Sequence, residues 1–214
     1  MTPGEIMSMQ AKGSTLNPEP KESDPYAWVK GDENYELPAE IVEMLQGVPE
    51  VGSMTATASL VTEMFENSGP HMGRLMWDPA YTVLTLAERK FIGTVVSAIN
   101  GCVTCLILHS HALGELIADH GRARRLAINY RSVTLSDRER AIGDFVTKLT
   151  ETPSKSEPAD LEKLRDVGLS DKEIYWVTET ASTFNYTNRV TSALGYRPDD
   201  EFMESLSPPI VGGK

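Results

Sequence analysis

Cys102, Cys105 and His109 fall in one short stretch, Asn100-Gly101-Cys102-Val103-Thr104-Cys105 followed by Leu106-Ile107-Leu108-His109, and these are the only two cysteines of the chain. In a helix, positions i and i+3 share a face and i+4 falls beside them. Two sulfurs so spaced are within reach of a disulfide. An imidazole one turn beyond the second cysteine is placed to accept or relay a thiol proton. The chemistry that uses such a set is a redox dithiol cycle. One thiolate attacks an oxidant and becomes a sulfenic acid, the second condenses with it to a disulfide, and an external dithiol resets the pair.

Asn100-Gly101 is a turn signal and the apolar run after it reads as a helix, so the pair belongs in the first turns of that helix. There the unpaired N–H groups and the helix dipole favour a thiolate. Two other readings compete. Free cysteines are often small buried hydrophobes, although the adjacency of the only two argues against chance. Zinc could take Cys102, Cys105 and His109, but a structural site needs a fourth ligand. His111 is turned about 120° away from Cys105 on the helix and does not supply it easily.

The chain has 214 residues and a formal charge of −11, with 31 Asp and Glu against 20 Lys and Arg. That balance argues against nucleic acid and anionic membrane as partners. The dense basic cluster Arg122-Ala123-Arg124-Arg125 reads as a solvated helix face. No stretch is apolar enough to span a bilayer, and the N-terminus lacks the basic-then-apolar pattern of a signal peptide. The expectation is a cytoplasmic protein, a compartment where C-x-x-C is more often catalytic or metal-binding than a structural staple.

The elements that must hold this set announce themselves by a recurring start signal. Thr85-Leu86-Ala87-Glu88, Ser136-Asp137-Arg138-Glu139 and Ser170-Asp171-Lys172-Glu173 each fit a capping box after a leucine. Apolar faces at helical spacing follow them: Ile92, Val95, Val96 and Ile99; Ile142, Phe145, Val146 and Leu149; Ile174, Val177, Ala181 and Phe184. Shorter helices are expected around Pro38–Leu45 and Met54–Glu66. No segment alternates as a strand does, so the fold expected is an all-α helical bundle. Residues 1–35, polar and broken by Pro3, Pro18, Pro20 and Pro25, read as an arm that is extended or ordered by a partner. Residues 36–202 form the helical domain. The chain from about Gly195 reads as tail, with 203–214 outside the domain.

Around the dithiol, Val96-Ser97-Ala98-Ile99-Asn100-Gly101-Cys102-Val103-Thr104-Cys105-Leu106-Ile107-Leu108-His109 closely resembles the core motif of alkylhydroperoxidase D-like proteins, members of the carboxymuconolactone decarboxylase superfamily. Leu135–Leu149 and Phe184-Asn185-Tyr186-Thr187-Asn188-Arg189 look like its peroxidase-related branch. The resemblance spans roughly Leu84 to Phe202; the N-terminal third resembles nothing placeable. It implies an all-helical homo-oligomer, as dimer, trimer or hexamer, that reduces hydroperoxides through the cysteine pair without haem, flavin or metal. The implied partners are a peroxide substrate and a dithiol, thioredoxin- or lipoyl-type reductant. Carried over by position, Cys105 is the peroxidatic thiolate, Cys102 resolves it, and His109 serves the proton relay. The family places a relay glutamate where this chain has Lys90, whose charge could instead stabilise a thiolate. Glu88, two residues away, points elsewhere and already caps its helix.

Which sulfur attacks is contested by two arguments. The helix terminus favours Cys102 by about 0.3–1 kcal/mol. The neighbouring imidazole favours Cys105 by roughly 10²–10⁴-fold in rate, and so does the resemblance. The expectation is therefore attack by Cys105. The alternative to an enzyme is a non-catalytic helical assembly whose dithiol is a redox sensor or structural clip. The remaining candidates read as structure. Glu139 and Glu173 are caps, and His111 is a helix-surface residue. His71 and His120 show no partner in the sequence. Asn188, with Asn185 beside it, reads as a core amide fixing helix register. Met72 and Met76 near Trp77 read as core or interface filler.

Overall fold

Each of the three capping boxes starts a helix in the computed structural model, which describes residues 25–32, 34–39, 42–43 and 51–206. Thr85 opens α4 (Leu86–Asn100), Ser136 opens α7 (Asp137–Glu151) and Ser170 opens α9 (Asp171–Leu194), each with both reciprocal bonds of the box in place. Before them lie α1 (Val51–Thr57), a 3₁₀ turn (Ala58–Leu60), α2 (Thr62–Asn67) and α3 (Gly69–Trp77). Between them run α5 (Val103–Leu116), α6 (His120–Asn129) and α8 (Pro158–Asp166), and α10 (Asp200–Ser205) follows. No strand occurs among the described residues.

One arginine ties the three starts together. Arg138 donates from Nε to Glu88 at 2.7 Å and from Nη2 to Glu173 at 2.8 Å, so the capping carboxylates of α4 and α9 meet on a side chain of α7. Charge-assisted bonds to carboxylates already fixed by their caps lose little further side-chain freedom. Below them the apolar faces close into one core: Ile92, Val95 and Val96 of α4, Ile142 and Val146 of α7, and Val177, Ala181 and Phe184 of α9 are all buried. Each large aliphatic side chain so removed from water contributes about 1.5–3 kcal/mol.

The sequence expectation of one helix over Met54–Glu66 is corrected. The chain breaks at Val61, whose φ of −139° and ψ of 34° are not helical. Helix α3 was not foreseen; Pro70 sits at its start, where a missing N–H costs nothing. Its far end is closed by a buried cation. The Arg89 guanidinium donates to the carbonyls of Arg74, Leu75 and Asp78 at the C-terminal end of the helix, where carbonyls run short of backbone donors. The expected helix at 38–45 and residues 1–24 of the arm lie outside, or largely outside, the described residues.

The rest of the arm lies against its own chain. Trp28 N–H donates to the Leu194 carbonyl at 2.8 Å, and the Tyr26 carbonyl accepts from Ser53 Oγ at 2.8 Å. Past Gly195, in the left-handed region at φ 65°, the chain continues into Tyr196 and then α10 rather than leaving the body as a tail from that point.

Candidate functional site

The dithiol is built at the joint of two helices. Helix α4 ends at Gly101, whose φ of 68° suits glycine. Gly101 N–H donates to the Ala98 carbonyl and Cys102 N–H to the Ser97 carbonyl, a Schellman-type close. The turn is pinned from α9. Asn100 Nδ2 donates to Asn185 and to Asn188, both at 3.0 Å, and Asn188 Nδ2 donates to Ser97 Oγ at 3.1 Å. Asn188 is buried, as the sequence indicated, and it fixes the register of the segment that carries the cysteines.

Cys102 is the N-cap of α5 and Cys105 lies in its first turn, the two approaching to 2.6 Å. Neither is in a disulfide and both are buried. Cys102 makes no regular capping bond of its own, and the polarity of this helix end acts on its charge. The Cys105 thiol, first, pulls the Cys102 thiol from its ordinary 9.0 down to about 6; burial opposes this, and the Cys105 N–H and the Ser192 hydroxyl assist. Ser192, near the end of α9, is a contributor that no sequence motif signalled.

Access falls to the other sulfur. An apolar cavity of about 130 Å³ is lined by Cys105 and His109, and Cys102 is not among its walls. It is close in size to the roughly 150 Å³ that accepts a benzene ring in an engineered core. One side of it comes from the N-terminal third, with Met54, Met64, Phe65, Met72, Met76 and Trp77; the other comes from the end of α9, with Tyr186, Val190 and Tyr196 beyond. The sequence reading of Met72 and Met76 as filler is thus incomplete, since both face the thiol pocket.

His109 is buried, with its ring edge against Phe184 at a centroid distance of 4.6 Å and Trp77 at 5.8 Å. Burial, with the charge of Lys90 next, holds it well below the ordinary histidine range, so the ring is neutral at physiological pH. Lys90, also buried, brings Nζ to 3.2 Å from His109 Nδ1 and to 3.1 Å from the centre of the Trp77 ring, a cation–π contact. Lys90 thus meets an imidazole and an indole one turn from the dithiol. Trp77 is itself the last residue of α3, the helix end that Arg89 caps.

The other histidines lie elsewhere. His71 bonds Tyr81 at 2.8 Å and Glu179 at 3.2 Å, partners the sequence did not show. His120 bonds Glu115 at 2.8 Å, and the His111 and His120 rings lie 5.1 Å apart. Glu88 serves its cap and Arg138, away from the dithiol. Among the described residues no three His, Cys, Asp or Glu side chains are grouped to hold a metal ion.

Neither a comparison with family models nor one with curated proteins returns a match. Solved structures do match. An uncharacterised peroxidase-related protein from Silicibacter sp. TM1040 is 29% identical over 85% of this chain and 96% of its own, with a TM-score of 0.74. An uncharacterised peroxidase-related protein from Ralstonia eutropha JMP134, described as an alkylhydroperoxidase AhpD core, is 26% identical over 84% of this chain and 96% of its own, with a TM-score of 0.72. The debrominase Bmp8 shares the fold at a TM-score of 0.58, with 15% identity over 77% of this chain and 84% of its own.

Proposed function

We propose that this chain, similar to the peroxidase-related and alkylhydroperoxidase AhpD core structures, is an alkylhydroperoxidase D-like protein of the carboxymuconolactone decarboxylase superfamily and reduces hydroperoxides through the Cys102–Cys105 dithiol. The observation that carries the reading is the division of labour between the sulfurs. Cys105 and His109 face the cavity, while Cys102 stands behind Cys105 within bonding reach. A hydroperoxide entering the cavity meets Cys105 first. The proton of the Cys105 thiol passes to Cys102, whose sulfur already accepts it as a hydrogen bond. The Cys105 thiolate then attacks the O–O bond, giving a sulfenic acid and an alcohol. Cys102 displaces water from that sulfenic acid as the disulfide closes, and an external dithiol of thioredoxin or lipoyl type returns the pair to thiols. Methionine and aromatic walls favour an organic hydroperoxide over hydrogen peroxide, since each buried methylene adds about 0.8 kcal/mol.

A peroxide-consumption assay with a dithiol reductant tests this. Wild type is expected to turn over, and Cys105→Ser is expected to abolish consumption. A protein that closes the disulfide once and never turns over is the sensor or clip of the rival reading. After peroxide, a dimedone-type probe should label Cys105 in Cys102→Ser and leave Cys102 nearly unlabelled in Cys105→Ser; the reverse pattern reverses the roles.

A further inference from the structure

Lys90 has an orientation that fixes how His109 can work. With Lys90 as the ammonium, which has donors and no acceptor, Nζ donates across the 3.2 Å contact and His109 Nδ1 accepts. A neutral imidazole that accepts at Nδ1 carries its proton on Nε2. His109 is therefore set up as a hydrogen-bond donor on its other nitrogen, not as a base awaiting a thiol proton. The lysine is held to this task from its far side by the Trp77 ring, and Trp77 is placed by the Arg89 cap on α3. Both Lys90 and His109 are buried, so a proton leaving Nε2 is most directly replaced through Nδ1, from the lysine.

We propose that Lys90 is the proton source of the site: its ammonium passes a proton to His109 Nδ1 as His109 Nε2–H protonates the alkoxide expelled when Cys105 attacks a hydroperoxide. This deepens the peroxidase reading above and rests on it. The step balances. The Cys105 sulfur gains an oxygen and is oxidised, and the O–O bond breaks as the peroxide is reduced to an alcohol. Lys90 is left as an amine and His109 as its other neutral tautomer. Cys102–S–H then displaces the sulfenic hydroxyl as water. To reset the site, one solvent proton enters through the cavity to His109 Nε2, and Nδ1 hands its proton back to Lys90. Lys90 acts through His109 and is a positioning and proton-supplying residue. A carboxylate in its place would accept from Nδ1–H and impose the opposite tautomer.

Nitrogen-15 NMR of the reduced full-length chain, with the His109 signals assigned by their loss in His109→Gln, reads the tautomer directly. Protonation at Nε2 is expected in wild type and at Nδ1 in Lys90→Glu. Stopped-flow oxidation of Cys105 by an organic hydroperoxide reads the proton step. Lys90→Met is expected to slow it by about 10²-fold, with the thiolate absorbance of Cys102 retained. Lys90→Arg keeps the donor and the charge but releases no proton, so it should retain the wild-type tautomer and still be slow. Should Lys90→Met fail to fold, Lys90→Arg and the wild-type tautomer decide. Wild type with His109 protonated on Nδ1, or Lys90→Arg reacting at the wild-type rate, overturns the proton step while leaving the peroxidase reading intact. A wild type that consumes no hydroperoxide overturns both.

Discussion

Lowering the first ionisation of the dithiol must show in its reduction potential. The pair loses its first proton near pH 6, where an ordinary cysteine holds it to 9.0; because the two sulfurs share that proton, the value belongs to the pair. The thiolate exists only in the reduced state. At pH 7 the reduced form is thus favoured by about one decade, or about 1.4 kcal/mol. For a two-electron couple that is about 30 mV, making the disulfide more oxidising than an unperturbed C-x-x-C in the same fold. The sign follows from a depressed acid. The stabilisation is present above pH 6 and is lost as pH falls through 6. As pH rises, the potential should fall by about 59 mV per unit up to about pH 6, where reduction takes up two protons, and by about 30 mV per unit above it, where it takes up one. Equilibration with a dithiothreitol couple between about pH 5 and pH 8, acid quench, alkylation and mass spectrometry give the slopes. Ser192→Ala should move the break upward. A slope that stays near 59 mV per unit to pH 8 refutes the thiolate assignment.

Other perturbations reach the site through packing. At Gly93 an added Cβ would clash with the tip of the Phe184 ring, which backs His109, so Gly93→Ala should cost about 1–3 kcal/mol in thermal or urea unfolding and slow Cys105 oxidation; an unchanged midpoint would contradict the packing. Arg138→Met removes both bonds that join the caps of α4 and α9 and should cost about 1–3 kcal/mol by the same measurement, with the reduction potential unmoved. Met72→Gln should lower kcat/KM for an aromatic hydroperoxide about tenfold and that for hydrogen peroxide far less; equal losses would show that Met72 does not touch substrate. Ile128, Val103 and Tyr175 lie exposed at 83%, 64% and 62%, and a homo-oligomer that covers such side chains is expected in sedimentation equilibrium, against a 23.5 kDa monomer.

The helices that hold the dithiol were legible because their signals are local. A hydroxyl, a carboxylate three residues on and an apolar residue every third or fourth position are enough to start α4, α7 and α9, and those three carry most of the core. Helix α8 begins on Glu157 and Asp160, an acidic version of the box that the hydroxyl pattern passes over. Helix α3 begins at Gly69-Pro70, which reads as a loop until the fixed φ of proline is allowed at a helix start. The break at Val61 carries no local signal, and just before it Ser59 Oγ accepts from Asp32 N–H, a contact between segments that no window of sequence joins.

The site divides along the same line. Cys102, Cys105 and His109 stand out in the sequence because their spacing is their geometry, and α5 brings them together. Lys90 was visible only as a departure from a motif, and the meaning of that departure lies in a contact nineteen residues away, with His109. The cavity was not visible at all. Its walls at Met54, Met64, Phe65, Met72 and Trp77 come from the third of the chain that carries no recognisable pattern, and Arg89, one residue before Lys90, caps the helix that carries Met72 and Trp77. That adjacency has a mechanical consequence. Two consecutive cations on α4 point to different tasks, one closing α3 through its carbonyls and the other resting on the indole that α3 delivers. Loss of the Arg89 cap should therefore be felt at His109. Arg89→Met is expected to free the end of α3, loosen the Trp77–Lys90 contact and open the cavity to water, where apolar selectivity fades before the dithiol does. The measurement is the ratio of organic to hydrogen peroxide turnover beside the reduction potential: the ratio should fall while the potential holds, and a potential that shifts with it would place Arg89 in the support of the sulfurs instead.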